Sequence, residues 1–335
     1  MTEHKIGWLN MPGYKPETWN PIVGCSKVSP GCDNCYAERM ANRLTYALGG
    51  VGTGKNQDAW IAYSDVISKG KWNGKTALIK SQLTKPSGWK TPRMIFVCSM
   101  SDLFHESVPF EWLLKVFIRI QENPQHLFIV LTKRPEIMAE KIKRFYNVSP
   151  NILSDYASLP NLWIGVTAEN QEQANKRIPI LLQIPAAKRF VSIEPMLGPI
   201  DFYDIVINTE FYHTLKGFGD ISGGDFGLVN GPKLDWVICG GESGNKARPM
   251  HPDWVRSLRD QCKAAGTPFF FKQWGTWRPL TTTKLIEKLP FGDYRPDIKF
   301  GYVKKSKHMI GATIDNQEYH EWPQLETLNL KPETV

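Results

Sequence analysis

Short apolar runs alternate with longer amphipathic ones through most of the chain, the pattern of βα units around a mainly parallel sheet. Candidate strands are 94–98, 127–131, 162–166, 189–193, 236–239 and 269–271, with a first short strand around 19–23. Candidate helices are 36–46, 110–121, 136–145, 171–182 and 252–265, and Gly266 is a natural stop for the last. Within 110–121, Phe110, Leu113, Leu114, Phe117 and Ile118 recur at helical spacing, which assigns them to the core. The expected fold is α/β: a partial or complete (β/α) TIM-like barrel of six to seven mainly parallel strands.

Three segments interrupt the alternation. Residues 47–92 are rich in Gly, Lys and Trp and read as an insertion; residues 200–234, with five glycines from Gly217 to Gly227, read as a long loop or lid. Residues 276–335 follow the last strand as a C-terminal extension to the 1–275 barrel. Within it 301–305 and 309–314 alternate as strands, and Asp315-Asn316 suits the next turn, so a small β-hairpin is expected.

A βα barrel carries its working residues on the loops after the strands, and the unusual polar motifs fall there. Ser99, Ser101 and Asp102 follow one strand and Thr132, Lys133 and Arg134 the next. Thr167 and Glu169 follow the third, Glu194 the fourth, Gly240, Gly241 and Glu242 the fifth, and Lys272 and Gln273 the sixth. If the strands lie side by side, these residues meet at one mouth. Any one of them also has a local explanation: Asp102 can cap a turn, and Glu169-Asn170 can start a helix. We take Lys272 and Gln273 as candidate catalytic residues.

The cysteine loop opens this series. Cys25, Cys32 and Cys35 form a C-x6-C-x2-C run ending at Tyr36. Three thiolates can hold three corners of a [4Fe–4S] cube and leave the fourth iron open to a ligand. Structural zinc needs a fourth ligand, and neither His4 nor His105 stands at a metal spacing to the trio. A disulfide would strand one thiol. Iron–sulfur, zinc and metal-free readings stay open on spacing alone. Cys98, Cys239 and Cys262 lie on apolar segments and read as small core residues.

The stretch from Thr18-Trp19-Asn20-Pro21 through Cys25 to Cys32-Asp33-Asn34-Cys35-Tyr36-Ala37-Glu38 resembles the signature of a phage-associated three-cysteine protein family of unknown function. That family is regarded as a divergent relative of the radical S-adenosylmethionine (SAM) enzymes. Further matches are Ser99–Phe104, Thr132–Pro135, Gly165–Thr167, Ser192–Pro195, Gly240–Gly244 and Phe271–Gly275. The first cysteine gap is three residues longer than the radical SAM C-x3-C-x2-C. The resemblance implies a [4Fe–4S] cluster on Cys25, Cys32 and Cys35, reductive cleavage of S-adenosyl-L-methionine, and an electron donor such as flavodoxin or ferredoxin. It further implies cofactor contacts from Tyr36 and the strand-end residues Ser99 to Glu242 named above. By charge, Lys133 or Arg134 would meet the SAM carboxylate. Glu169, Glu194 or Glu242 would hold ribose hydroxyls or the amino group, with Gly240-Gly241 admitting the ligand to the backbone.

Net charge changes the picture once: +8 over 335 residues permits a polyanionic partner. Lysines concentrate in the insertion, where Lys69, Lys71 and Lys75 interleave with Trp72 and Trp89. Ammonium groups attract phosphates and indoles stack on bases, so DNA or RNA is a candidate substrate, to be modified or repaired. The plainer reading is a solvated insertion. A non-catalytic zinc- or cluster-stabilised nucleic-acid-binding protein, or an enzyme acting on a peptide or small metabolite, are the alternatives. No membrane-spanning run is present, and a cytoplasmic protein is expected. Gly49 to Asn56 nearly spells a P-loop, but Asn56 replaces the magnesium-binding hydroxyl and no strand precedes it, so it reads as a loop.

Overall fold

A computed structural model describes residues 6–48, 57–148, 159–203, 205–207, 210–219, 231–279, 302–304 and 312–325. Seven strands, β1 (Lys15–Trp19), β2 (Arg93–Val97), β3 (Leu127–Thr132), β4 (Leu162–Thr167), β5 (Lys188–Ile193), β6 (Trp236–Gly240) and β7 (Phe269–Gln273), pair in chain order. Every pairing is parallel. The sheet curls into a half-barrel flanked by helices, a partial TIM-like barrel. The helices are α1 (Tyr36–Leu48), α2 (Gln57–Val66), α3 (Phe110–Gln121), α4 (Pro135–Val148), α5 (Gln171–Leu182) and α6 (Pro252–Ala265).

Period-two alternation assigns the two faces of the sheet. Ile95, Val97, Phe128, Val130, Ile164, Val191, Val237 and Phe271 point outward into the core shared with the helices. Met94, Phe96, Leu127, Ile129, Trp163, Phe190, Trp236 and Phe270 point inward. These inner residues fill the half-barrel toward the amino ends of the strands. Trp236 meets Trp163 and Trp8 edge-to-face at 6.0 and 6.1 Å, and Trp8 comes from the N-terminal segment. Trp322 closes the same base from the other end of the chain, its indole donating to the Trp8 carbonyl at 2.8 Å. The base is therefore a dry aromatic plug, and the open end is the carboxyl end.

The helices match their patterns closely, and α3, α5 and α6 begin and end where the periodicity places them. Strand β1 differs: it lies at Lys15–Trp19, and Ile22–Val23 instead pairs antiparallel with Ala77–Leu78. Pro16 hides the strand in sequence, and an edge strand accommodates a residue without an N–H. The insertion contains a helix the pattern did not mark, α2, which packs Ala62, Tyr63 and Val66 beside Ala37 and Ala41 of α1.

Residues 200–234 are not a lid in their described part. They form a three-stranded antiparallel sheet of Ile205–Ile207, Glu210–His213 and Phe218–Gly219. Phe202, Ile205, Leu215 and Leu234 are buried in the outer core, so this unit stands where a crossover helix would between β5 and β6. In the C-terminal extension, Thr313–Ile314 and Gln317–Glu318 form the expected hairpin, with Asp315 and Asn316 at φ 50° and 67°. The segment after it is no appendage. The Phe271 N–H donates to the Tyr319 carbonyl at 2.8 Å and the Glu321 N–H to the Phe269 carbonyl at 3.2 Å, covering the free edge of β7. Trp277–Pro279 pairs with Tyr302–Lys304 in a second small ribbon. The P-loop-like stretch 49–56 lies outside the described residues. Among the described residues no helix is long and apolar enough to cross a membrane.

Candidate functional site

The cysteine loop, residues 24–35, lies across the carboxyl end of the half-barrel. Its entry is fixed by Gly24, at φ +95°, where an added Cβ would stand 2.3 Å from the Lys75 carbonyl and 2.7 Å from the Val66 side chain. The loop then crosses the strand ends, and four of them supply a clamp.

The loop after β2 supplies His105, whose Nε2 lies 2.8 Å from the Ser26 hydroxyl. Its Nδ1 accepts the Ser107 N–H at 3.1 Å. The neutral ring therefore carries its proton on Nε2 and donates toward Ser26 and Glu106, so His105 holds Ser26 rather than activating it. The loop after β3 supplies Arg134. Its Nη2 donates to the Ser26 hydroxyl at 2.7 Å and the Ser26 carbonyl at 3.1 Å, and its Nε to Glu106 at 2.8 Å. Its Nη1 donates to Asp102 at 3.2 Å and stands 3.8 Å from the Cys25 sulfur.

After β4, Glu169 accepts the Gly31 N–H at 3.0 Å and is paired with Arg177 of α5 at 3.0 Å. Both side chains are sealed from solvent, at 0% and 3% exposure. Burial by itself would raise the Glu169 carboxyl; its hydrogen bonds and the charges of Arg177 and Lys133 reverse this and hold it below its usual range. After β6, Glu242 accepts from Asn34 at 3.1 Å and forms a forked pair with Arg248, at 2.9 Å from Nε and 2.6 Å from Nη2. Arg248 in turn donates to the Pro30 carbonyl at 2.9 Å and to Asp33 at 3.3 Å. Burial again opposes ionisation of Glu242, and Arg248 and Asn34 again win. Loops from four strands thus hold one short segment.

Several expected cofactor contacts are spent in this scaffold. Ser99 donates to the Asn20 side chain and Ser101 to the Ile22 carbonyl. Asp102 caps its own turn at the Phe104 N–H, and accepts from the Thr132 hydroxyl at 2.6 Å and the Lys133 N–H at 3.0 Å. Thr167 is buried, its carbonyl accepting from Arg177 at 2.7 Å. Glu169, Glu242 and Arg134 are likewise engaged with protein groups. Gly240 and Gly241 pack against protein: a Cβ at Gly240 would lie 2.7 Å from the Glu194 carboxylate, and one at Gly241 2.0 Å from the Trp274 carbonyl. Within Glu169-Asn170 it is Asn170 that caps α5, as a helix start there requires, accepting the Gln173 N–H at 3.0 Å.

What remains open to the mouth is a smaller set. Glu194 and Lys272 form a 2.8 Å ion pair, 18% and 22% exposed, between the ends of β5 and β7. Lys133 is half-buried and forms no ion pair with the described residues, though its charge reaches Glu169. Tyr36 is exposed, donates its hydroxyl to the Ser99 carbonyl at 2.8 Å and stands in the field of Cys35 and Glu194. Gln273 donates to the Ser243 hydroxyl at 3.1 Å.

Cys25, Cys32 and Cys35 are half-buried and not joined in a disulfide. Burial, with Asp102 and the other two cysteines, pushes the Cys25 thiol up to about 12 against the pull of Arg134. Cys25 therefore stands within electrostatic reach of Cys32 and of Cys35. Among the described residues no three His, Cys, Asp or Glu side chains converge on one metal ion.

The insertion distributes its expected nucleic-acid contacts unevenly. Lys69, Lys71 and Lys75 are exposed, and Lys75 lies 3.6 Å from Asp65. Trp72 and Trp89 are half-buried and face inward. Trp72 packs on the α1–α2 cluster, and Trp89 packs on the outer core with Arg93 4.8 Å from its ring.

Sequence reasoning missed Ser26, Asn34, His105, Arg177 and Arg248. Only Arg177 carried a signal. It sits in the apolar stripe Ala174, Ile178 and Leu181 of α5, and a charge on a buried face requires a partner.

A family model described as "Protein of unknown function (DUF5131)" matches residues 4–323. The chain belongs to the DUF5131 family. No curated protein and no solved structure matches it. In this DUF5131 protein the matched region spans both the half-barrel and the segment that closes its base, so loop and scaffold fall within one family unit.

Proposed function

We propose that this protein is a radical SAM-like enzyme that holds a [4Fe–4S] cluster on Cys25, Cys32 and Cys35 and acts on a nucleic acid or a nucleotide-derived molecule. The observation that carries the reading is the cysteine loop clamped across the barrel mouth by Arg134, Glu169, Glu242 and their partners. That clamp spends several buried charges on one short loop, an investment a solvated turn would not need.

Three half-buried thiols on one short loop are the ligand type and number that such a cluster takes. Arg134 brings positive charge to Cys25 and opposes the burial that raises its thiol. A cluster bound there supplies the electron that cleaves SAM. The chain's own residues orient and exclude water. Lys133 is the cation left to meet a carboxylate, Arg134 being engaged. Lys272 and Glu194 offer a donor and an acceptor to whatever enters above the aromatic plug.

The test is metal and product analysis of anaerobically purified protein. Iron and acid-labile sulfide should be present in about equal amounts, with broad visible absorption lost in Cys32→Ala. Dithionite and SAM should then yield 5′-deoxyadenosine. Colourless protein carrying stoichiometric zinc would overturn the reading in favour of a zinc-stabilised binding protein.

A further inference from the structure

Helix α1 leaves the cysteine site with one face exposed among the described residues. Ala37 and Ala41 are buried against α2, while Tyr36, Arg39, Met40, Arg43 and Tyr46 are exposed. At 100° per residue these five fall within an arc of about 120°. They form one continuous stripe about 15 Å long, beginning beside Cys35. Tyr46 is 80% exposed and Tyr36 53%, far more than buried packing would leave to rings of this size.

The stripe is basic as well as aromatic. The exposed Arg43 side chain makes no hydrogen bond or ion pair with the described residues. The Arg39 guanidinium donates from Nη2 to the Ser243 carbonyl at 3.2 Å and stays at the surface. The ribbon of Ile67–Ser68 and Lys71–Trp72 lies along one side of the helix: Trp72 donates its N–H to Glu38, and Gly70 abuts Asn42. That contact sets exposed Lys69 and Lys71 beside the stripe. Exposed Lys246 lies near the amino end of the helix, its carbonyl accepting from Asn34. The carboxylate of α1 nearest these cations, Glu38, is itself buried and faces Lys27 at 3.8 Å. Arg39, Arg43, Lys69, Lys71 and Lys246 thus lie on or beside a helix that begins at the candidate site.

We infer that the outer face of α1, with Lys69 and Lys71, is a track for single-stranded nucleic acid, Arg43 and the lysines contacting phosphates and Tyr46 stacking on an unpaired base. The tyrosines replace Trp72 and Trp89 as the aromatic contacts, because both indoles face inward. A single strand is specified by the exposed rings: bases in a duplex already stack on each other, whereas a splayed strand offers free faces. The assignment rests on the reading above for its substrate class, yet its test needs no cluster.

The experiment is fluorescence anisotropy of the full chain with a labelled single-stranded oligonucleotide over a salt series, with iron measured in each sample. Arg43→Ala and the Lys69→Ala/Lys71→Ala pair should each flatten the plot of log affinity against log salt, by about 0.7 for each phosphate no longer neutralised. Tyr46→Ala should weaken binding roughly 5- to 100-fold with little change in slope. Lys263→Ala, on α6, should change nothing. Wild-type binding that is absent at low salt, or variants with unchanged slopes, would overturn the track while leaving the cluster reading intact. So would duplex DNA or polyglutamate competing as well as the single strand while Tyr46→Ala is silent, which would mark a general anion or acidic-protein surface. Cys32→Ala that loses iron but keeps affinity and slope supports the track independently of the cluster.

Discussion

Removing the Glu169 carboxylate breaks the most deeply buried clamp on the cysteine loop. Glu169 and Arg177 are almost wholly desolvated, and the same carboxylate holds the Gly31 N–H. Deleting one member of such a pair costs about 3–5 kcal/mol, because the surviving charge stays buried without its partner. Glu169→Ala and Arg177→Ala should each fall in that range. The double variant should be less destabilised than their sum by about 1–3 kcal/mol, since removing both leaves no orphaned charge. Glu169→Gln keeps an acceptor for Gly31 and should cost less than Glu169→Ala. Urea unfolding of metal-free protein, followed by tryptophan fluorescence and circular dichroism, measures all four. Energies that add to within about 0.5 kcal/mol would mean the two residues do not act as a pair, and the argument for a charge-built clamp would fail.

Other consequences follow from the same geometry. Arg134→Met removes the donors that hold Ser26, Asp102 and Glu106, and should destabilise by about 3 kcal/mol while lowering the iron retained after desalting; unchanged iron content would separate Arg134 from the site. Glu169 and Glu242 have carboxyls held below the usual 4.5. Their contribution to stability is thus complete above the unfolded-state value and lost as pH falls through the folded-state values. The urea midpoint should drop as pH falls below about 4.5, with a shallower drop in Glu169→Gln. Gly241→Ala places a methyl 2.0 Å from the Trp274 carbonyl and should cost more than about 2 kcal/mol, whereas Gly13→Ala, with nothing within 4 Å, should cost only its strained backbone. Lys272→Met should leave the fold near wild type, judged by circular dichroism, because its partner Glu194 is partly solvated, while abolishing turnover if the mouth is the working end.

Much of the half-barrel was legible because its signals are local. Six strands of the main sheet and five helices follow from apolar runs and helical spacing. Their parallel order follows from the alternation, since βα crossovers return each strand in the same direction. Where signals were weak the reading failed for identifiable reasons. Pro16 and Glu17 disguised β1, and α2 lay within a segment whose lysines and glycines read only as an insertion. The glycine-rich stretch 200–234 hid a small sheet anchored in the core by Phe202, Ile205, Leu215 and Leu234.

The site divides differently. From its sequence alone, this chain determines that three cysteines share one loop and that polar residues follow each strand, because both facts depend only on order along the chain. Which of those polar residues face a ligand and which hold the loop was decided only by tertiary structure. Asn34 and Arg248 stand 214 positions apart and meet on one Glu242 carboxylate, and no local pattern encodes that encounter. The inward turn of Trp72 and the outward face of Tyr46 were settled in the same way. Composition supplied the aromatic rings, and packing determined which of them reached water.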